Sequence, residues 1–242
     1  MSKPSRIAFS SALVISPHPD DAEFGCGGAI AGWVSEGKDV ILCVVTNGAM
    51  GSNDPSVRRE DLIATREREQ REAAAILGIS QVIFLGYEDG YMEDSHELRR
   101  DLIREVRRHK PDLVLGPDPS SFYIDQRYVN HPDHRAVGQS FAATITPGAT
   151  TVPLYRADLY DRGFEPHRVK ACLLYATSTP DCFIEIGPFI ETKVRALRAH
   201  RSQFGDAEDM EDRMRDWAKL AAEGSGQELE YAESFKAFFF DD

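Results

Sequence analysis

Short apolar runs recur along the chain at 12–16 (ALVIS), 39–46 (DVILCVVT), 81–85 (QVIFL), 112–116 (DLVLG) and 170–176 (KACLLYA). Each is too short for a typical helix and is bounded by turn-forming or polar residues, so each reads as a buried strand. Between them, near 23–37, 59–78, 95–109 and 133–146, apolar residues recur at helical spacing. Strands alternating with helices predict an α/β fold with a mostly parallel sheet and helices on both faces. The helix over 95–109 shows the expected stripe, with Leu98, Leu102, Ile103 and Val106 inward and an arginine-rich face read as solvated. Over 118–130 the period is lost, which marks a loop over the site that follows it.

The C-terminal third patterns differently. Lys193, Leu197, His200 and Phe204 share one helical face within 189–204, and a packing or hydrogen-bonding role suits His200 better than a metal. The segment 206–222 is amphipathic through Met210, Met214, Trp217 and Leu220/Ala221, the pattern of a lid or a subunit contact. Tyr231, Phe235 and Phe238 repeat at helical spacing and are followed by Phe239 and Phe240. So many aromatics call for burial, in their own domain or in a homo-oligomer.

Composition narrows the class. At 242 residues and 42% apolar content, the chain can bury one sizeable core, and 1–242 reads as a single domain. A net charge of −12 disfavours nucleic acid and anionic membrane as partners. The cysteines, Cys26, Cys43, Cys172 and Cys182, form no CxxC pair and sit mostly in apolar runs, as reduced thiols of a cytoplasmic protein do. No apolar stretch approaches the ~18 residues of a membrane span, and MSKPSRIAFSS lacks the apolar core of a signal peptide.

Two stretches carry the chemistry: SPHPDDAEFGCGG at 16–28 and NHPDHRAVG at 130–138. His18, Asp20, Asp21, His131, Asp133 and His134 are all side chains that zinc accepts, and a catalytic zinc is typically held by three of them with one position left open. The first motif falls on a strand-to-helix turn, where open α/β sheets bind ligands. In the second, Asn130 is read as the N-cap with Pro132 in the first turn, which puts His131 and His134 on one side. Either motif alone is unremarkable, since acidic residues favour helix starts. Two His-Pro-Asp tripeptides at predicted turns are much harder to obtain by chance. Spacing alone leaves open whether Asp20 or Asp21 binds the metal.

HPDD near the N-terminus, the downstream HPDH and KVRALRAHRSQ at 193–203 resemble the zinc-dependent N-acetylglucosaminyl deacetylases of the PIG-L/LmbE type. VTNGAMGS at 45–52, REREQREAAAILG at 66–78, FLGYEDG at 84–90 and YAESF at 231–235 extend the resemblance over nearly the whole chain. It implies a Rossmann-like three-layer fold, and one zinc or other divalent ion per chain on His18, Asp21 and His134. It further implies Asp20 as general base, His131 as oxyanion stabiliser or general acid, and Asp133 as the partner of His131. The implied partner is a small sugar-type amide. Two positions depart from the family: Ala22 follows HPDD where many members have an acid, with Glu23 one later, and Val129 stands where some place a tyrosine, with Tyr128 beside it.

From the resemblance follows hydrolysis of an N-acetyl group on an N-acetylglucosamine-type glycoconjugate, with an amidase for sugar-thiol conjugates as the alternative. An idle metal- or sugar-binding module is the rival from another class, and retention of both Asp20 and His131 argues against it. A phosphoesterase is disfavoured, because such sites usually use two metals. The glycine-rich GCGGAIAG does not make a dinucleotide site, because Ile30 stands where the third glycine is needed and the second strand ends in TNG without an acid. Its glycines instead suit close packing of the helix. Arg66 occupies an otherwise apolar stripe with Leu62, Ala73 and Leu77. Two readings stand for it: an ion pair with Glu67 or Glu69 at the surface, or, as the resemblance favours, a guanidinium that binds substrate.

Overall fold

Five of the apolar runs become the parallel strands of one sheet. In the computed structural model, which describes residues 8–124, 128–205, 207 and 209–240, they are β1 (Ser11–Ser16), β2 (Asp39–Thr46), β3 (Gln81–Tyr87), β4 (Leu113–Pro117) and, after a two-stranded hairpin of β5 (Tyr123–Ile124) and β6 (Tyr128–Val129), β7 (Ala171–Tyr175). Two antiparallel strands, β8 (Cys182–Glu185) and β9 (Ala232–Phe239), complete the sheet in the order β3-β2-β1-β4-β7-β9-β8. The helices are α1 (Asp21–Ser35), α2 (Arg59–Leu77), α3 (His96–His109), α4 (Pro132–Ala143), α5 (Ile190–Arg198), α6 (Arg201–Phe204) and α7 (Met210–Gly224).

Alternate residues of the central strands enter separate apolar clusters. Val14, Leu42, Leu115 and Leu173 pack with α1 and α2, whereas Ile15, Cys43, Val114 and Cys172 pack with α3 and α4. Both sheet faces are therefore covered, and strands buried on both sides read as continuous apolar runs rather than alternating ones. The strand order reverses between β1 and β4, with β2 on one side and β7 on the other. Such a switch point opens a crevice at the carboxyl ends of the two strands. The HPDD motif leaves the end of β1, and HPDH follows β4.

The glycines of α1 permit close packing, as expected. A Cβ on Gly25 would lie 2.7 Å from the Tyr175 ring, and one on Gly28 would lie 2.7 Å from Ile186. Four other expectations are corrected. Arg107, placed on a solvated face, is fully buried, and its guanidinium donates to the carbonyls of Gly148, Ala149, Thr151 and Phe164. The helix expected over 189–204 breaks at Ala199 and His200 into α5 and α6. The terminal aromatics lie on a strand, where Phe235 and Ala237 point inward while Phe238 stays exposed. In α7 the buried stripe is Met210, Met214, Ala218 and Ala222, and Trp217 and Leu220 face outward. The N-terminal stretch 1–7 and residues 125–127 of the expected 118–130 loop lie outside the described residues. Among the described residues, no helix is long and apolar enough to cross a membrane.

Candidate active site and metal centre

The first motif contains two prolines, and the Asp21 side chain reaches back across it to the His18 backbone. β1 ends at Ser16, the Pro17 carbonyl accepts from the Thr46 N–H at 2.9 Å, and the His18 N–H donates to Asp21 Oδ2 at 2.9 Å. Helix α1 starts at Asp21, so its carboxylate is held before any metal is considered. Asp20, just outside the helix, adopts φ 107° and ψ −26°, a conformation L-residues rarely take. In the second motif helix α4 starts at Pro132 with His131 as the N-cap, one residue later than the sequence suggested. His131 Nδ1 accepts from the Asp133 N–H at 3.2 Å, which leaves the neutral ring's proton on Nε2. Asn130 is buried instead and donates to the Ser121 carbonyl at 2.7 Å, tying down the loop ahead of the motif.

The two turns bring His18, Asp21 and His134 together. His18 Nδ1 lies 3.1 Å from Asp21 Oδ2 and 3.2 Å from His134 Nε2, and His134 Nε2 lies 3.1 Å from the same Asp21 oxygen. Three ligands at zinc bond lengths of 2.0–2.1 Å on a tetrahedron stand roughly 3.3 Å apart, so this donor set fits a small divalent cation. His18, His131 and Asp133 also converge. Asp133, however, is already engaged: Oδ2 accepts from the Gly90 N–H at 2.7 Å, and Oδ1 from the Met92 N–H at 3.3 Å.

Asp133 was expected to partner His131, and the structure places it against His18. His18 Nε2 is 3.2 Å from Asp133 Oδ2 and 3.1 Å from Asp89 Oδ1, whereas His131 Nδ1 is 3.9 Å from Asp133 Oδ1. A carboxylate on the far nitrogen of a ligating histidine fixes the ring and its tautomer. Asp89 escaped the sequence reading. Its signal was modest, an acid in the turn GYEDG just after β3, yet it is buried and also accepts from the Met50 N–H at 2.8 Å.

Burial and neighbouring charge divide these groups. Burial pushes the Asp20 carboxyl up to about 6, against the opposing pull of the Arg66 guanidinium. Burial also disfavours ionised Asp21, but His134 and His18 outweigh it and hold that carboxyl well below the usual range. For His18 burial acts downward, and hydrogen bonds to Asp133, Asp21 and Asp89 win and hold the ring well above its ordinary value. His131 is lowered, by burial first and then by His18. That shift favours the neutral form of a ring that lines the cleft.

Arg66 is buried and points at the site rather than at Glu67 or Glu69. Its Nη2 donates to the Pro19 carbonyl at 2.6 Å and to Asp20 Oδ2 at 3.2 Å, and Nη1 donates to the Gly48 carbonyl at 3.0 Å. Glu69 is taken by Ser202, which docks α6 on α2. A cleft of about 250 Å³ is lined by His18, Asp20, Asp21, Arg66, Asp89, His131 and His134, with Met50 and Gly51 at its side. Both motifs and Arg66 thus open into one cavity, which gathers a donor set that could hold a cation, a carboxylate shifted upward by burial and the His131 imidazole.

The chain is similar to known proteins over most of its length. The PIG-L family model, described as GlcNAc-PI de-N-acetylase, matches residues 13–145. Diacetylchitobiose deacetylase of Thermococcus kodakarensis is 35% identical over 193 residues, covering 79% of this chain and 69% of that one. A probable N-acetyl-alpha-D-glucosaminyl L-malate deacetylase 2 of Bacillus anthracis is 32% identical over 197 residues, covering 79% and 80%. The N,N'-diacetylchitobiose deacetylase from Pyrococcus horikoshii, solved with an inhibitor, superposes with a TM-score of 0.87 at 33% identity over 95% of this chain and 84% of that one. With more than half of the sequence matched by the family model and its two motifs meeting in one cleft, the chain belongs to the PIG-L family of metal-dependent deacetylases.

Proposed function

We propose that this single-domain enzyme hydrolyses the N-acetyl group of an N-acetylglucosamine-type glycoconjugate and releases acetate, with one zinc ion held by His18, Asp21 and His134. The carrying observation is the mutual spacing of 3.1 to 3.2 Å among three ligand atoms with the Asp20 carboxylate in the same cleft. The chemistry such an ion supplies when bound is Lewis acidity, which brings the pKa of water to about 7 and polarises a carbonyl.

The chain's own groups do the rest. Asp20, raised to about 6, is ionised at neutral pH yet basic enough to take the proton of the attacking water and pass it to the leaving amine. His131 offers its Nε2–H to the amide oxygen as charge develops there, as a neutral donor in a partly desolvated cleft. Asp133 and Asp89 hold His18 Nε2, so Nδ1 faces the cation site. Arg66 steers the Asp20 carboxylate, and its side facing the cleft serves the substrate's hydroxyl groups. The same reading takes the protein as cytoplasmic and assigns the exposed Trp217 and Leu220 of α7 to a homo-oligomer contact.

The test is acetate release by the zinc-loaded protein from a panel of diacetylchitobiose, N-acetylglucosaminyl malate and an N-acylated sugar-thiol conjugate. Turnover of an N-acetylglucosamine compound is expected. Cleavage confined to the thiol conjugate would establish the amidase instead, and binding without release from any member would leave only a binding module.

A further inference from the structure

The left-handed Asp20 poses a question that the metal site does not answer: what holds an L-residue at φ 107°? Such conformations persist only where surrounding contacts over-determine them. Arg66 supplies part of the answer through the Pro19 carbonyl and the Asp20 carboxylate. The rest comes from three buried polar side chains on separate elements. The Asp20 N–H donates to Gln70 Oε1 of α2 at 3.0 Å, and Gln70 Nε2 donates to Glu23 Oε1 of α1 at 2.7 Å. Glu23 Oε2 then lies 3.5 Å from His200 Nε2 at the junction of α5 and α6. Gln70, Glu23 and His200 are all fully buried, and neither Glu23 Oε2 nor either His200 nitrogen has a hydrogen-bond partner among the described residues, so His200 meets Glu23 as a charge contact.

Burying such groups is unfavourable unless they are partnered; here a hydrogen bond joins Gln70 to Glu23, and a charge contact joins Glu23 to His200. Polarity runs one way along the row. A backbone N–H only donates and a carboxylate only accepts, so the amide of Gln70 is suited to stand between them. Its oxygen must face Asp20 and its nitrogen Glu23.

We propose that Gln70, Glu23 and His200 form a buried brace that keeps the Asp20 backbone left-handed and so aims its carboxylate into the cleft. The three are positioning residues that act through Asp20, and the proposal rests on the reading of Asp20 as the base. His200, between α5 and α6, thereby acts on the turn after the first strand without touching metal or substrate.

A swap separates this role from plain packing. Gln70→Glu sets carboxylate against carboxylate. Gln70→Glu combined with Glu23→Gln restores both hydrogen bonds, since residue 70 still accepts from the Asp20 N–H and residue 23 now donates. On the zinc-loaded protein, with the best substrate of the panel, Gln70→Glu and Gln70→Leu should each lower kcat roughly 10- to 100-fold, with KM within about twofold and metal content unchanged, the range for a misaimed catalytic group. The double variant should recover to within about threefold of wild type, and His200→Phe should show a smaller loss of the same kind. Crystal structures of Gln70→Leu and of the double variant read φ at Asp20 independently of turnover: relaxed in the first, near 107° in the second. Should wild type turn over nothing on the panel, the reading of Asp20 as base fails and φ alone decides on the brace. An unchanged φ in Gln70→Leu, an unchanged kcat, a double variant as slow as the worse single one, or losses that follow metal content would each overturn the proposal.

Discussion

His18-Pro19-Asp20-Asp21 and His131-Pro132-Asp133-His134 share their first three residues and are put to opposite use. In the first motif the leading histidine faces the cation site and the aspartate after proline turns to Arg66; in the second the leading histidine stands beside the site and the aspartate is buried under it. The helix start explains the difference. Helix α1 begins after Asp20, which is left outside with φ 107°, whereas α4 begins at Pro132 and carries Asp133 within its first turn, toward the N–H groups of Gly90 and Met92. Only the fourth residue, Asp21 or His134, keeps the same relation to the cation site in both. A shared tripeptide therefore does not fix a role; the residue at which the helix begins does.

The sharpest way to break that comparison is to remove one aspartate from each motif. Asp20→Asn keeps the shape and removes the basicity, and kcat should fall by about 10²–10⁴ with zinc retained, as measured by acetate release and elemental analysis. Zinc lost at Asp20→Asn but kept at Asp21→Ala would reverse the two carboxylates. Asp133→Asn should behave otherwise: the affinity for zinc drops by about 10- to 100-fold in a competitive chelator titration, while kcat at saturating metal changes far less. Equal kcat losses in the two variants would show that the motifs do not divide the work as their helix starts suggest.

A smaller effect is expected at Arg66, which joins the first motif to α2. Arg66→Met leaves the Pro19 and Gly48 carbonyls and one Asp20 oxygen without their donor. Loss of a charge-assisted hydrogen bond of this kind corresponds to roughly tenfold in kcat/KM. Unchanged kinetics with a lowered Tm would reduce Arg66 to a structural clamp.

Much of this was legible in the residues. Runs such as DVILCVVT, apolar on both faces, suit the interior of a covered parallel sheet, and the two His-Pro-Asp motifs supplied the side chains that converge as a candidate metal-binding group. What escaped depends on partners brought from elsewhere in the fold. Arg66 was visible as a charge on an apolar stripe, but its partners come from turns at 19–20 and 48 rather than from the neighbouring glutamates. Asp89 and Gln70 sit in unexceptional polar surroundings and matter only through His18 and Asp20. At the C-terminus, Tyr231, Phe235 and Phe238 satisfy a helical period by coincidence. The alternation actually used, with Phe235 and Ala237 inward, is that of an antiparallel strand closing the sheet.

The strands that bear the two motifs are also tied together at their far ends, and this gives the smallest predicted effect. Asp112, just before β4, accepts from the N–H and hydroxyl of Ser10 at 2.8 and 2.9 Å and lies 2.9 Å from Lys170 Nζ, tying the starts of β1, β4 and β7 together. Burial opposes its ionisation, but Lys170 and Ser10 prevail and bring its carboxyl down to about 2. A folded-state pKa below the unfolded one contributes stability that is complete above pH ~4 and fades as pH falls toward 2. Screening by solvent limits the contribution to about 1 kcal/mol at neutral pH. Asp112→Asn should lose that amount in urea unfolding at pH 7 and converge with wild type only below about pH 2, with kcat at neutral pH altered less than twofold, because Ser10 and the backbone ladder between Ala12 and Leu113 still set the register. A change in kcat greater than in stability would mean that the spacing of the two motifs depends on this one carboxylate.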